Sequence, residues 1–178
     1  LTGAQSIRVA VVQGNIPQEE KWDETHRGDI LARYAALTEA SAATSPSLII
    51  WPETAVPGYF SIDEELTQQV IAIARRIGRP MLVGAPIPTM DITRVTLRNS
   101  AVLVDPAGTL EQRYDKMHLV PFGEFVPGGR MFPWLRNLLP PIGDFSAGHD
   151  YTVFTLGVRN AELGIRNSHS PLRFSVLI

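Results

Sequence analysis

The sequence predicts an α/β protein with a mixed sheet and its helices packed on one face. Three observations carry this. Short β-branched runs alternate with helical patterns up to Val83, a turn signal then divides two strand-like runs into a hairpin, and strand-like runs return after Asp150. A chain of 178 residues is long enough to close one sizeable core, so a single domain over residues 1–178 is expected.

Residues 7–12 read as a buried strand that ends in the turn Gln13-Gly14-Asn15. Over residues 25–44, Ile30, Leu31, Tyr34 and Leu37 fall at helical spacing, and Pro46 stops the pattern. Residues 48–51 form a second buried strand. Pro52 ends it and leaves Glu53 at its C-terminal tip, where α/β proteins carry much of their chemistry. Leu66, Val70, Ile73 and Ile77 lay an apolar stripe along a second helix that Gly78 ends. A third strand covers residues 81–83. Residues 99–104 and 109–116 flank Asp105-Pro106-Ala107-Gly108 as an antiparallel hairpin, and its second strand delivers Lys116. The last strands are residues 152–156 and 172–178, with a polar segment, 157–170, between them. Periodicity leaves open what covers the sheet face away from the helices.

Composition narrows the function classes. Hydrophobic residues at 44% and charged residues at 19%, with 14 Gly and 14 Pro, describe a turn-rich globular chain, neither disordered nor fibrous. A formal net charge of −2 without a basic run argues against a nucleic-acid partner. The absence of cysteine excludes a disulfide or a thiolate metal site within these residues. No apolar stretch approaches the roughly 20 residues of a membrane-spanning helix. The chain starts without Met and stops inside an apolar run at residues 173–178, so it reads as an excised fragment.

Three residues invite a chemical reading. Trp51-Pro52-Glu53-Thr54 sets a carboxylate beside a bulky aromatic at a strand end. Partial burial there would raise a carboxyl pKa and suit it to general-base work, and the same residue equally reads as a cap on the next segment. Lys116, within Arg113-Tyr114-Asp115-Lys116-Met117-His118-Leu119, enters a loop bracketed by Pro and Gly. In a cleft its ammonium would stabilise an oxyanion and lower the pKa of a nearby thiol; on the surface it would pair with Asp115. Strand alternation puts His118 on the same face, where it reads as a structural, hydrogen-bonding histidine. Glu124 sits among apolar residues between Pro121 and Pro127, which argues that it points inward at a cation. An ion pair that orders the loop and a direct catalytic role are both open, and Lys116 as partner satisfies both.

Taken together, longer stretches carry a resemblance. Val12-Gln13-Gly14-Asn15-Ile16-Pro17-Gln18, Lys21-Trp22-Asp23, Leu48-Ile49-Ile50-Trp51-Pro52-Glu53-Thr54 and the run from Tyr114-Asp115-Lys116 to Phe122-Gly123-Glu124-Phe125-Val126-Pro127 resemble the nitrilase (carbon-nitrogen hydrolase) superfamily. Within it the wording is similar to the apolipoprotein N-acyltransferase branch. After Pro127 only Phe145-Ser146-Ala147-Gly148 and the closing strand fit, and Arg98 stands where a tyrosine often precedes Asn99-Ser100.

The resemblance implies a four-layer α-β-β-α sandwich, incomplete at its C-terminus, with a Glu-Lys-Cys triad. Glu53 would be the general base, Lys116 the oxyanion-stabilising lysine and Glu124 a further catalytic residue. The nucleophilic cysteine would follow a strand resembling residues 174–178, so this chain is expected to lack activity by itself. Trp22, Phe132 and Trp134 are the expected substrate-binding residues. The implied reaction moves an acyl chain from a phospholipid donor to the thiol, then to the α-amine of a diacylglyceryl-apolipoprotein acceptor, and requires no metal or organic cofactor. The parent protein would sit in a bacterial inner membrane, with this domain facing the periplasm. A soluble amidase and a non-catalytic binding module on the same fold are the alternatives. Between Gly128 and Phe145 the residues Phe132, Trp134, Leu135, Leu138 and Leu139 suggest a short amphipathic helix after Pro133. It would either pack on the core or form a lid that meets the lipid interface.

Overall fold

The computed structural model describes residues 7–90, 95–127, 145–156 and 171–178. In chain order come β1 (Val9–Val11), α1 (Arg27–Ala42), β2 (Leu48–Ile50), α2 (Glu64–Ile77), β3 (Met81–Met90), β4 (Val95–Val104), β5 (Leu110–Asp115), β6 (Phe154–Leu156) and β7 (Leu172–Phe174). Strands β1 to β5 form one sheet in sequence order. The β1–β2 and β2–β3 pairs are parallel, and β3–β4 and β4–β5 are antiparallel, so the sheet is mixed as expected. β6 and β7 form a separate antiparallel pair.

Side-chain alternation divides the molecule into layers. On one face Ile49, Trp51, Met81, Val83, Ala85, Val102 and Val104 pack against Ile30, Leu31 and Tyr34 of α1 and Leu66, Val70, Ile73 and Ala74 of α2. On the other, Leu48, Leu82, Ala101, Leu103 and Tyr114 meet Phe154 and Leu156. Phe154 stacks on Phe174 at 5.3 Å between ring centroids, which joins β6 to β7. The second strand pair is therefore what covers the face that periodicity left open. Helix α2 carries its own start and stop signals: the Asp63 side chain accepts from the Leu66 amide, acidic residues fill the first turn, and Gly78 closes the helix at φ 65°.

Several expectations need correction. β1 is an edge strand rather than a buried one: Val9 and Val11 are 39% and 73% exposed, and neither joins the apolar cluster that contains Phe154 and Leu156. Leu37 is not on the buried stripe of α1; Thr38 is, donating to the Tyr34 carbonyl and accepting from Trp51 Nε1. β3 continues for seven residues past Val83, through Gly84, Pro86 and Pro88, residues that ordinarily break strands. The carbonyls of Leu82, Gly84 and Pro86 accept from Trp51, Ala55 and Phe60. N–H and C=O of one residue point to the same side of a strand, so the two proline nitrogens face this loop and the β4 ladder loses nothing.

Gly84 makes the loop after β2 possible. A Cβ there would stand 2.2 Å from the Pro52 carbonyl oxygen and 2.8 Å from Glu53 Cα. Gly84→Ala should therefore destabilise the protein by about 2 kcal/mol, as overpacking against backbone does. Gly28→Ala, exposed near the start of α1 with nothing within 4 Å, should stabilise it by about 0.5–1 kcal/mol. Urea denaturation midpoints check both, and equal midpoints for the two variants would show that Gly84 is not needed for the close approach of the loop.

Candidate active site

The loop that crosses Gly84 lays Glu53 on the face of the sheet that looks toward β6 and β7. Asn99 of β4 lies on that face, two residues before buried Ala101. Lys116 follows the end of β5, and its amide still donates to the Asn99 carbonyl at 2.8 Å, so its side chain emerges beside Asn99. The following loop returns Glu124 to the same place through a tight turn: the Phe122 amide donates to the Phe125 carbonyl and the Glu124 amide to the Val120 carbonyl. Phe122 accepts a left-handed backbone, φ 61°, to make that turn. The segment from Phe145 to Gly148 straps the arrangement, its amides donating to the carbonyls of Glu124, Leu97 and Lys116.

The side chains converge tightly. Lys116 Nζ lies 2.8 Å from Glu53 Oε1 and 3.0 Å from Glu124 Oε2. Asn99 Nδ2 donates to Glu53 Oε1 at 2.6 Å and to Glu124 Oε1 at 2.7 Å, and the Val120 amide donates to Glu124 Oε2. An ammonium has three N–H bonds, and among the described residues two carboxylate oxygens approach it, so one N–H is left over that could meet an oxyanion. Asn99 is 2% exposed, and among the described residues its buried Oδ1 meets no donor.

Burial pulls the Lys116 ammonium down, but hydrogen bonds to Glu53 and Glu124 and their charges outweigh it and hold the group above its ordinary value. Burial pushes the Glu124 carboxyl up, and donors from Val120, Asn99 and Lys116 overcome it and hold the group below its ordinary value. Nearby, Lys21 Nζ donates to Thr54 Oγ1 at 2.8 Å and to the Glu53 carbonyl at 3.3 Å. Burial lowers its pKa, against the opposing charge of Glu53.

Other expected features differ. Trp51 does not wall Glu53: its ring stacks on Tyr34 at 4.8 Å on the opposite face, and Glu53 is 41% exposed, so charged partners and not an aromatic pocket define its surroundings. Asp115 pairs with Arg113 and Ser100, not with Lys116. His118 lies beyond the end of β5, where alternation no longer holds, and is exposed. Trp22 is half-exposed in the turn beside Lys21. Phe132 and Trp134, with the expected lid, lie outside the described residues. Sequence reasoning missed Asn99 and Lys21 as site residues. Asn99 had a usable signal, since asparagine is disfavoured in a strand and next to a buried apolar run needs a partner; Lys21 stands in the Lys21-Trp22-Asp23 run of the resemblance, but after two glutamates its own chemistry gave no sign of a site.

The model of the carbon-nitrogen hydrolase family matches residues 8–165. The chain belongs to the carbon-nitrogen hydrolase family. This hydrolase-family chain is 38% identical over 156 residues to the apolipoprotein N-acyltransferase of Geobacter metallireducens, covering 87% of this chain and 30% of that protein. To the enzyme of that name from Chlorobaculum tepidum it is 34% identical over 175 residues, covering 88% and 33%. It thus spans about a third of the length of these curated relatives. An amidase from Nesterenkonia sp. AN1, solved with acetamide added at its active-site cysteine, shares the fold with a TM-score of 0.57 at 17% identity, over 86% of this chain and 53% of that one. Among the described residues no helix is long and apolar enough to cross a membrane, and no group of three His, Cys, Asp or Glu is placed to hold a metal ion.

Stability should follow the cluster's charges. Glu124, held below the ordinary value of 4.5, contributes stability that is complete above pH 4.5 and is lost as pH falls through its lowered value. Lys116, held above 10.5, contributes fully below that pH and loses its share as pH rises through its raised value. Glu124→Gln is expected to flatten the acid limb of the stability–pH curve. Lys116→Met should lower stability at pH 7 by about 2–3 kcal/mol, less than for a fully buried pair because Glu53 is partly exposed. Urea titrations between pH 3 and 8 read both effects, and an unaltered acid limb in Glu124→Gln would contradict this assignment.

Proposed function

We propose that Glu53, Lys116 and Glu124 form the acid-base and oxyanion part of an apolipoprotein N-acyltransferase centre, whose thiol comes from a cysteine outside these 178 residues. The observation that carries this is Lys116 Nζ between two carboxylates, in a chain more than 30% identical to proteins of that name. The chain itself contains no cysteine. On this reading it is part of one domain with an α-β-β-α sandwich, of which the helices, the five-stranded sheet and the β6–β7 pair are three layers.

In the complete centre Glu53 takes the thiol proton as the sulfur attacks a phospholipid ester carbonyl, and the free Lys116 N–H meets the oxyanion. The ester C–O bond breaks, the leaving alkoxide takes the proton back from Glu53, and a thioester remains. The α-amine of a diacylglyceryl-apolipoprotein then attacks the thioester and gives up its proton to Glu53, the C–S bond breaks, and the departing thiolate takes that proton from Glu53, which leaves an amide and the thiol. Glu124 holds the lysine charged and in place. Trp22, Phe132 and Trp134 would bind the acyl and lipid groups, and the parent protein would be anchored in the inner membrane with this domain on the periplasmic side.

The test uses the full-length protein with phospholipid vesicles and a diacylglyceryl peptide, with product followed by mass spectrometry. Gain of one acyl group by the peptide is expected. Glu53→Gln and Lys116→Met should each slow it by about 10²-fold or more. The 178-residue chain alone should give no product. Hydrolysis of small amides without acyl transfer would favour an amidase, and full activity in Glu53→Gln would overturn the assignment of the base.

A further inference from the structure

The cluster treats the two oxygens of Glu53 differently. Oε1 accepts from both Lys116 Nζ and Asn99 Nδ2, at 2.8 and 2.6 Å, whereas among the described residues Oε2 accepts no hydrogen bond. The Glu53 side chain is 41% exposed, so a reacting group can reach it. The Asn99 amide donates one N–H to each carboxylate. A flipped amide would set its oxygen against both, so the partners dictate its orientation. That orientation leaves Oδ1 buried with no donor among the described residues, and a side chain that served only the fold would gain nothing from such an arrangement.

We propose that Asn99 is a positioning residue that makes the oxygens of Glu53 unequal: with Lys116 it pins Oε1 and leaves Oε2 as the atom that exchanges the proton with the thiol. The inference rests on the reading of Glu53 as the general base. Two charge-assisted donors on one oxygen stop the carboxylate from turning about its last torsion, so Oε2 keeps one direction. With the lysine alone, the plane is free to swing. Among the described residues the groups that face Glu53 are Lys116 from the end of β5, Glu124 from the loop after it, Lys21 on the Glu53 carbonyl from the loop after β1, and Asn99 from β4. All but Asn99 remain when Asn99 is replaced.

The full-length protein with Asn99→Asp, a replacement of the same size, would put a third carboxylate around Lys116. Its kcat should fall about 10²-fold with KM within about threefold of wild type, and the acid limb of its kcat/KM–pH profile should move up by about one unit. Asn99→Ser, smaller and able to donate one hydrogen bond, should lose less kcat and leave the acid limb in place. If Asn99→Asp does not fold, Asn99→Ser decides the question through kcat and through the rate of thiol alkylation by iodoacetamide, both expected to fall. Unchanged kcat in whichever variant folds would overturn the proposal, as would a loss confined to folded yield. Glu53→Gln separates the two failures. If it is inactive while the Asn99 variants match wild type, only the role of Asn99 fails; if it is fully active, the base assignment fails.

Discussion

The ammonium of Lys116 sits within hydrogen-bonding distance of two carboxylates, and most of the local structure follows from that contact. Two glutamates facing one another at the end of the layer between the sheets would repel; with the lysine and the Asn99 amide between them they are drawn to fixed positions. The same charges hold the lysine protonated, as an oxyanion partner requires. Each of the three groups is thus a condition for the other two.

The backbone serves this contact at several points. β2 ends at Ile50, and the chain passes over Gly84, where any side chain would block it. The antiparallel register of β4 and β5 brings Asn99 opposite Lys116, and the tight turn at Phe122 returns Glu124. Gly148 approaches the Asp115 carbonyl closely enough that a Cβ would lie 2.3 Å away, so the strap from Phe145 can bind the loop on both sides. Lys21 ties the turn carrying Trp22 to the loop carrying Glu53. Elements remote in sequence therefore share one local geometry.

Much of this was legible in the sequence because it depends on local patterns. The stripe of α2, the Asp105–Gly108 turn and the proline after Trp51 each have a short-range cause. The apolar setting of Glu124 also points to a cation from sequence alone. What was not legible depends on long-range pairing. The prolines of β3 read as breakers until the loop at 51–60 showed which way their nitrogens face, and the edge position of β1 could not be read from its own residues. Trp51 beside Glu53 suggested a pocket, but strand alternation sends the ring to the helical face, onto Thr38 and Tyr34. Asn99 stands in the sequence only at the start of a strand and after Arg98, because its two partners, Glu53 and Glu124, come from distant parts of the chain.

On the proposed reading, this cluster meets a thiol from a cysteine outside these 178 residues. An experimental structure of the full-length protein tests it most directly. The expected result is a cysteine sulfur within about 4 Å of Glu53 Oε2, in reach of proton transfer, with a Lys116 N–H turned toward the space where an acyl oxygen would lie. A thiol more than about 10 Å from both groups, or a side chain other than cysteine filling that space, would contradict it.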